Sequence, residues 1–433
     1  MASTVSENTD DGVLTSERGL TFVQGTALYV GAVLGTGAIA LPAMAARAAG
    51  PASLLAWLGL IVMSIPLAAT FAALGSRYPD SGGVSTYVRR AFGAHWAGLV
   101  GWCFYLTVPP AMAAAALFGG AYVADAVDGG TTTTVLVAVA LIASVTLANV
   151  FGLRVSGRLA LGLAVVLALL LLLAAGSSLP HARLDNLQPF APHGWAAVGS
   201  AAALLVWSFS GWEAMTHLSA DFRRPHRDIP RTTAAAVVII GVLYLAVAGA
   251  SILVLGAAAG DSNAPLADLL SIGIGRAGGV LGTVVALLLT LGVMNTYQAS
   301  AAKLGAALGR DAALPRWLAP GSESGGVPVR SVLIVAAFAA TALSAVVIFG
   351  DADPEPLVLL TTGAFVTVYV LGSAAAVRLL PHRSWGRAAA IISLIASVLL
   401  LGTTGRYLLW PALLAIGCML YLRRSARTSR SAF

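Results

Sequence analysis

The sequence predicts an all-α polytopic membrane protein of about twelve transmembrane helices with both ends cytoplasmic, on three observations. Hydrophobic residues make up 58% of the 433 residues, charged residues 10%, and the mean hydropathy is +0.87, values outside the range of soluble domains. Apolar runs recur along the whole chain, most near the roughly 20 residues that a helix needs to cross the hydrocarbon core. The basic residues sort onto one side of those runs.

Residues 1–18 are polar and acidic, without the basic start and cleavage site of a signal peptide, and read as a disordered cytoplasmic tail. The transporter domain follows over 19–422. Its apolar spans fall at 20–46, 51–75, 94–124, 131–151, 159–178, 195–220, 232–258, 277–302, 331–349, 356–377, 387–405 and 407–422. The last two are short and meet at Arg406. Residues 423–433 form a basic cytoplasmic tail. Cys103 and Cys418 both lie in apolar spans, so neither a disulfide framework nor a metal cluster is expected.

Charge sets the direction. With twelve spans and the N-terminus inside, the inner segments hold Arg18; Arg77, Arg89, Arg90; Arg154, Arg158; Arg223, Arg224, Arg227, Arg231; Lys303, Arg310, Arg316, Arg330; Arg378, Arg383, Arg387; and Arg423, Arg424, Arg427, Arg430. That is 21 of the 25 basic residues, leaving Arg47, Arg183, Arg276 and Arg406 outside. Positive residues stay on the cytoplasmic side, so the net charge of +7 is a topology signal; no nucleic-acid partner is expected. The expected setting is the inner (plasma) membrane, crossed many times.

Two spans are interrupted. The first carries Gly31-Ala32-Val33-Leu34-Gly35-Thr36-Gly37 and then Pro42; the sixth carries Ser208-Phe209-Ser210-Gly211. If repeat 1 covers about 20–178 and repeat 2 about 195–380, with helices 11 and 12 at about 387–422, the interruptions correspond. Paired breaks in the two halves point to a transporter binding site. Gly31 and Gly35 also suit close helix packing, whereas the closely spaced Gly35 and Gly37 weaken the helix itself. Just past the second break stands Glu213, the one acid inside a span, with His217 one turn on. An intramembrane acid is a functional candidate; a packed, protonated glutamate in a kinked helix is the alternative.

Four motifs, in order, resemble the amino acid–polyamine–organocation permeases: GAVLGTGAIALPA (31–43), RYPDSGGVSTYVRRAFG (77–93), WSFSGWE with DFRRPHRDIPR (207–231), and LGRDAALPRWLAP with VPVRS (308–331). The resemblance covers nearly the whole chain and implies a five-plus-five inverted repeat of the LeuT-like kind, with helices 1 and 6 broken at the substrate. Within the family, WSFSGWEAMTHLSADFRRPHRDIPR and MNTYQASAAKL look like the exporters of methionine and branched-chain amino acids.

The resemblance implies a site for an amino acid. The carboxylate would meet backbone N–H groups at Gly35, Thr36 and Gly37, where a helix N-terminus favours anions. The ammonium would meet carbonyls freed around Ala32, Val33 and Phe209, beside Ser210 and Gly211. Trp207 corresponds to an aromatic gate and Tyr297 to another, with Asn295 a polar partner; both aromatics could equally fill the bundle interior. Glu213 stands where the family keeps a proton-sensitive glutamate, and desolvation favours a protonated carboxyl. His217 could relay a proton or serve as a hydrogen-bonded residue near the cytoplasmic interface.

One departure concerns coupling. Some relatives carry a lysine in the fifth helix, but here that span is apolar and the sole lysine is Lys303. No sodium site is evident. The expected activity is proton-linked transport of neutral hydrophobic amino acids such as methionine, leucine, isoleucine or valine, by alternating access. The partners are the amino acid, protons and the lipid bilayer; no cofactor or metal is expected, and the sequence carries no signal for oligomeric state. Alternatives are uptake of cationic amino acids or polyamines, which would want further acids at the site, and a sensor that binds without transporting. A membrane enzyme would need a motif such as HExxH, Gly-x-Ser-x-Gly or a Walker loop, none of which is present.

Overall fold

The computed structural model describes residues 20–78, 83–152, 157–213, 216, 219, 222–323 and 326–430. Within them the regular structure is helical, with no strand and one isolated bridge, Leu20 to Phe222. The first span is two helices, α1 (Phe22–Val33) and α2 (Gly37–Ala49), followed after a short turn by α3 (Ser53–Arg77). A capping box starts α1: Gln24 donates its N–H to the Thr21 hydroxyl, and the Thr21 N–H donates to the Gln24 side chain. The amphipathic α4 (Gly83–Phe92) leads into α5 (Ala94–Ala126), α6 (Thr131–Val150) and α7 (Gly157–Ser178).

The sixth span opens with α8 (Ala197–Leu205), tightens into a 3-10 turn over Val206–Phe209, and leaves helical geometry at Ser210. Then come α9 (Pro225–Ala250), the short α10 (Pro265–Ile274), α11 (Arg276–Arg310), α12 (Val329–Phe349), α13 (Glu355–Leu379), α14 (Trp385–Thr403) and α15 (Leu409–Arg430). Among the described residues ten helices are long and apolar enough to cross a bilayer, the run Gly37–Arg77 counting as one of them. Two of the shorter apolar helices, Phe22–Val33 and Ala197–Phe209, belong to the first and sixth spans, and with them the described residues hold part of each of the expected twelve.

Several boundaries differ from the sequence reading. The seventh span begins at Pro225, ahead of the expected 232, because proline suits a first helical turn that has no N–H to lose. The last helix runs on to Arg430 through the basic tail. Helices α4 and α10 were not expected; α4 buries Val84, Tyr87 and Val88 and leaves Arg89 and Arg90 exposed.

The packing is itself two-fold. Spans two and seven, three and eight, and four and nine pack against one another, and α2 of the first span packs on α8 of the sixth. Neighbour relations recur in the same sense: the first span meets the fifth as the sixth meets the tenth, and the third meets the ninth as the eighth meets the fourth. An inverted five-plus-five repeat produces such paired contacts.

The interior is dominated by α5, lined with alanine and glycine so that neighbouring backbones approach closely. Outside, Leu58, Val62, Ile65, Leu169, Val238, Phe338, Ile395 and Leu399 are exposed, the face a bilayer would cover. At the arginine-rich end of the bundle the Arg223 N–H donates to the Leu20 carbonyl at 3.3 Å. A side chain at Gly25 would meet the Phe222 ring at 2.5 Å, so Phe222 closes directly over α1.

Candidate functional site

Where α1 stops, the Leu34 N–H still reaches the Val30 carbonyl at 2.7 Å. The next three N–H groups, at Gly35, Thr36 and Gly37, have no acceptor among the described residues. They form the N-terminus of the 13-residue α2, whose dipole end favours negative charge. Nothing lies within 4 Å of the position a Gly35 side chain would take, so this backbone is open to a ligand. Gly37 is different. A Cβ there would sit 2.4 Å from the Ser208 hydroxyl and 2.9 Å from the Trp207 ring, so its small size lets the two broken spans cross.

The sixth span supplies the opposite wall. Trp207, Ser208, Phe209, Ser210, Gly211, Trp212 and Glu213 are all buried. Gly211 has φ +117°, and a Cβ there would lie 2.7 Å from the Ala32 carbonyl oxygen. Ala32 and Gly211 therefore meet backbone to backbone.

Tyrosines from surrounding helices satisfy the carbonyls that the breaks release. Tyr29 donates to Trp212 O at 2.8 Å, and the Tyr369 hydroxyl lies 3.4 Å from Phe209 O, its one proton shared between that carbonyl and the nearer Glu213 carboxylate. Tyr244 lies 3.1 Å from Val33 O and 2.9 Å from Ser208 O. Two of the carbonyls expected to face an ammonium, those of Val33 and Phe209, thus already accept one hydrogen bond, and each keeps a second lone pair. The tyrosine caps were not read from the sequence, since a tyrosine in an apolar span looks the same whether its hydroxyl caps a distant carbonyl or points to an interface.

Glu213 is 6% exposed. One carboxylate oxygen accepts from the Gly211 N–H at 3.1 Å and from the Tyr369 hydroxyl at 2.9 Å, which ties the acid to the break and to α13. The Tyr297 side chain approaches the Ser210 side chain. Asn295, on the same helix, turns elsewhere: its side-chain oxygen accepts from Asn149 at 2.8 Å, in a buried polar cluster with Gln298 that joins α6 and α11. His217 lies outside the described residues.

Beyond Trp207 is a cavity of about 660 Å³ at the end of the bundle opposite the arginine-rich face. It is lined by Arg47, Phe118, Asp125, Asp128, Asp351 and Asp353, among others. Phe118, on α5, meets Trp207 edge-on with ring centroids 6.1 Å apart. The order from cavity to interior is therefore Phe118, Trp207, Gly37. Sequence reading missed Phe118 because one aromatic in an alanine-rich span carries no periodic signal.

A family model described as amino acid permease matches residues 20–423. The chain is 31% identical over 407 residues to an uncharacterized amino acid permease, YecA, of Bacillus subtilis, covering 94% of this chain and 96% of that one. It is likewise 31% identical over 422 residues to the L-methionine/branched-chain amino acid exporter YjeH of Escherichia coli, with coverage of 94% and 96%. A branched-chain amino acid permease of Bacillus subtilis, BcaP, is 26% identical over 240 residues, covering 51% of this chain and 52% of that one.

Proposed function

Because the chain belongs to the amino acid permease family, we propose that it is a secondary active transporter that exports neutral hydrophobic amino acids such as methionine, leucine, isoleucine and valine, coupled to protons, by alternating access. The observation that carries this reading is the run of three N–H groups without an acceptor at Gly35, Thr36 and Gly37, facing the interrupted backbone of the sixth span. A zwitterion suits such a place: its carboxylate takes the N–H groups and its ammonium the Ala32 carbonyl and the second lone pairs of the Val33 and Phe209 carbonyls.

The side-chain end is apolar and aromatic, bounded by Trp207, Phe209 and Tyr297. Glu213 is the single charged residue in the buried set among the described residues, and its carboxylate is engaged by Gly211 and Tyr369. A cationic side chain would have to take that carboxylate from its partners, which favours neutral substrates. The narrower choice of methionine and branched-chain amino acids, and the outward direction, draw support from the 31% identical exporter. In this reading the chain sits in the inner (plasma) membrane with both ends cytoplasmic. The cavity then opens outward, Phe118 lines it with Trp207 packed behind, and protonation of Glu213 loosens its hold on Gly211.

The four aspartates of the cavity support a second reading, uptake of cationic amino acids, since they would concentrate cations at the entrance. Purified protein in proteoliposomes distinguishes the two. Labelled leucine or methionine is expected to cross the membrane faster when a pH gradient is imposed, and unlabelled methionine and leucine are expected to compete far better than arginine or lysine. Arginine competing better than leucine would replace the first reading with the second, and binding without any flux would make the protein a sensor.

A further inference from the structure

Each break exposes carbonyls that a continuous helix would have satisfied. Val33 ends α1, and Ser208 lies in the 3-10 turn of the sixth span. Their carbonyls converge on one hydroxyl, that of Tyr244, at 3.1 Å and 2.9 Å. Tyr244 belongs to α9, outside both broken spans.

Its ring is 2% exposed and packs on Trp57 and Phe209 with centroids 5.1 Å and 5.2 Å away, so the hydroxyl sits on a rigid aromatic support. Among the described residues no other donor reaches either carbonyl. The Ser208 hydroxyl lies beside the Tyr244 hydroxyl and reaches neither carbonyl among the described residues. A single proton is therefore shared between acceptors from two separate spans, and without it two buried carbonyl oxygens would face each other unpaired.

We propose that Tyr244 is a positioning residue for transport: its hydroxyl ties the end of α1 to the 3-10 turn of the sixth span. The tie sets the spacing between the N–H groups of Gly35–Gly37 and the carbonyls opposite, which is the distance an amino acid must bridge between its carboxylate and its ammonium. The proposal rests on the reading of Gly35–Gly37 as the carboxylate site.

Tyr244→Phe keeps the ring and removes the donor. In detergent-solubilised full-length protein, hydrogen–deuterium exchange is expected to quicken in segments 34–40 and 206–212 and to stay unchanged in α5 and α11. Binding of labelled leucine is expected to weaken about tenfold, since leaving buried acceptors unpaired costs on the order of one such factor or more. Trp57→Phe disturbs the same aromatic support but keeps the hydroxyl; an equal effect from it would assign the result to packing and overturn the proposal. Unchanged exchange and affinity in Tyr244→Phe would overturn it as well. If that variant does not fold, 3-fluorotyrosine placed at 244 is a stronger donor of nearly the same shape; slower exchange in both segments then supports the tie, and no change refutes it. Should the wild-type protein bind neither leucine nor methionine, the transport reading fails, while the exchange comparison still decides the tie.

Discussion

The two broken spans differ in what they leave open. At the first, the backbone over Gly35–Gly37 is bare, its N–H groups are uncommitted, and the space beside Gly35 is empty. At the second, aromatic rings fill the surroundings, the Phe209 and Trp212 carbonyls accept from tyrosines, and Gly211 is pressed onto the Ala32 carbonyl. On the proposed reading the first break presents the ligand-binding groups, and the second is a buried wall to which Glu213 is tied as a latch through Gly211 and Tyr369. An inverted repeat thus gives two similar interruptions, and the side chains around each give them different work.

The largest effect should come from breaking the wall. Gly211 combines φ +117° with a 2.7 Å approach of any Cβ to Ala32 O. Strained backbone of that kind costs roughly 1–3 kcal/mol in a residue other than glycine, and the clash adds to it. Gly211→Ala is expected to abolish transport and to lower the thermal midpoint of the purified protein markedly. Wild-type flux in that variant would mean that the close contact between the spans is dispensable.

Gly37 tests the crossing itself. A methyl group there meets Ser208 and Trp207 together, and overpacking of this sort costs about 1–3 kcal/mol. Gly37→Ala should reduce leucine affinity by ten- to a hundredfold, with a smaller stability loss than Gly211→Ala. The comparison sharpens if the two losses are measured in one melting series.

Much of this was legible in the chain. The spans followed from apolar run lengths and the sorting of arginines, and the two interruptions from glycines placed where a membrane helix can least accommodate them. Glu213 stood out because a carboxylate in an apolar span needs a reason. Contacts between distant spans were not legible: the 183-residue separation between Tyr29 and Trp212 and the meeting of Phe118 with Trp207 depend on the bundle's tertiary packing. For the same reason Asn295, which looked like a partner for Tyr297, is instead bonded to Asn149; one helical step of two residues turns a side chain through most of a half circle. Gly35 and Gly37 looked equivalent in sequence, and only the packing around them tells them apart.

The latch gives an intermediate effect. Glu213→Gln retains an oxygen that can accept from Gly211 and Tyr369 but no longer titrates. Leucine binding is expected to stay within about threefold of wild type, well under 1.4 kcal/mol, while flux loses its response to an imposed pH gradient. A variant that still follows the gradient would make Glu213 a structural member of the wall and place the coupling elsewhere.

The smallest effect is expected at Gly35, and it is the most discriminating. The open space beside it should accept a methyl group without moving either span, and its backbone is not among those at positive φ. Gly35→Ala should therefore melt within a degree or two of wild type. Its cost appears when an amino acid arrives, because the new methyl occupies the approach to the N–H groups of Gly35–Gly37. A rise of severalfold in the dissociation constant for leucine, with unchanged stability, is the signature of a bare backbone kept clear for a ligand. The same test on leucinamide, which keeps the side chain and ammonium but lacks the carboxylate, should show weak binding that Gly35→Ala scarcely alters. If the alanine variant instead bound leucine as tightly as wild type, the carboxylate would have to sit away from Gly35, and the contrast between an open first break and a closed second one would lose its functional meaning.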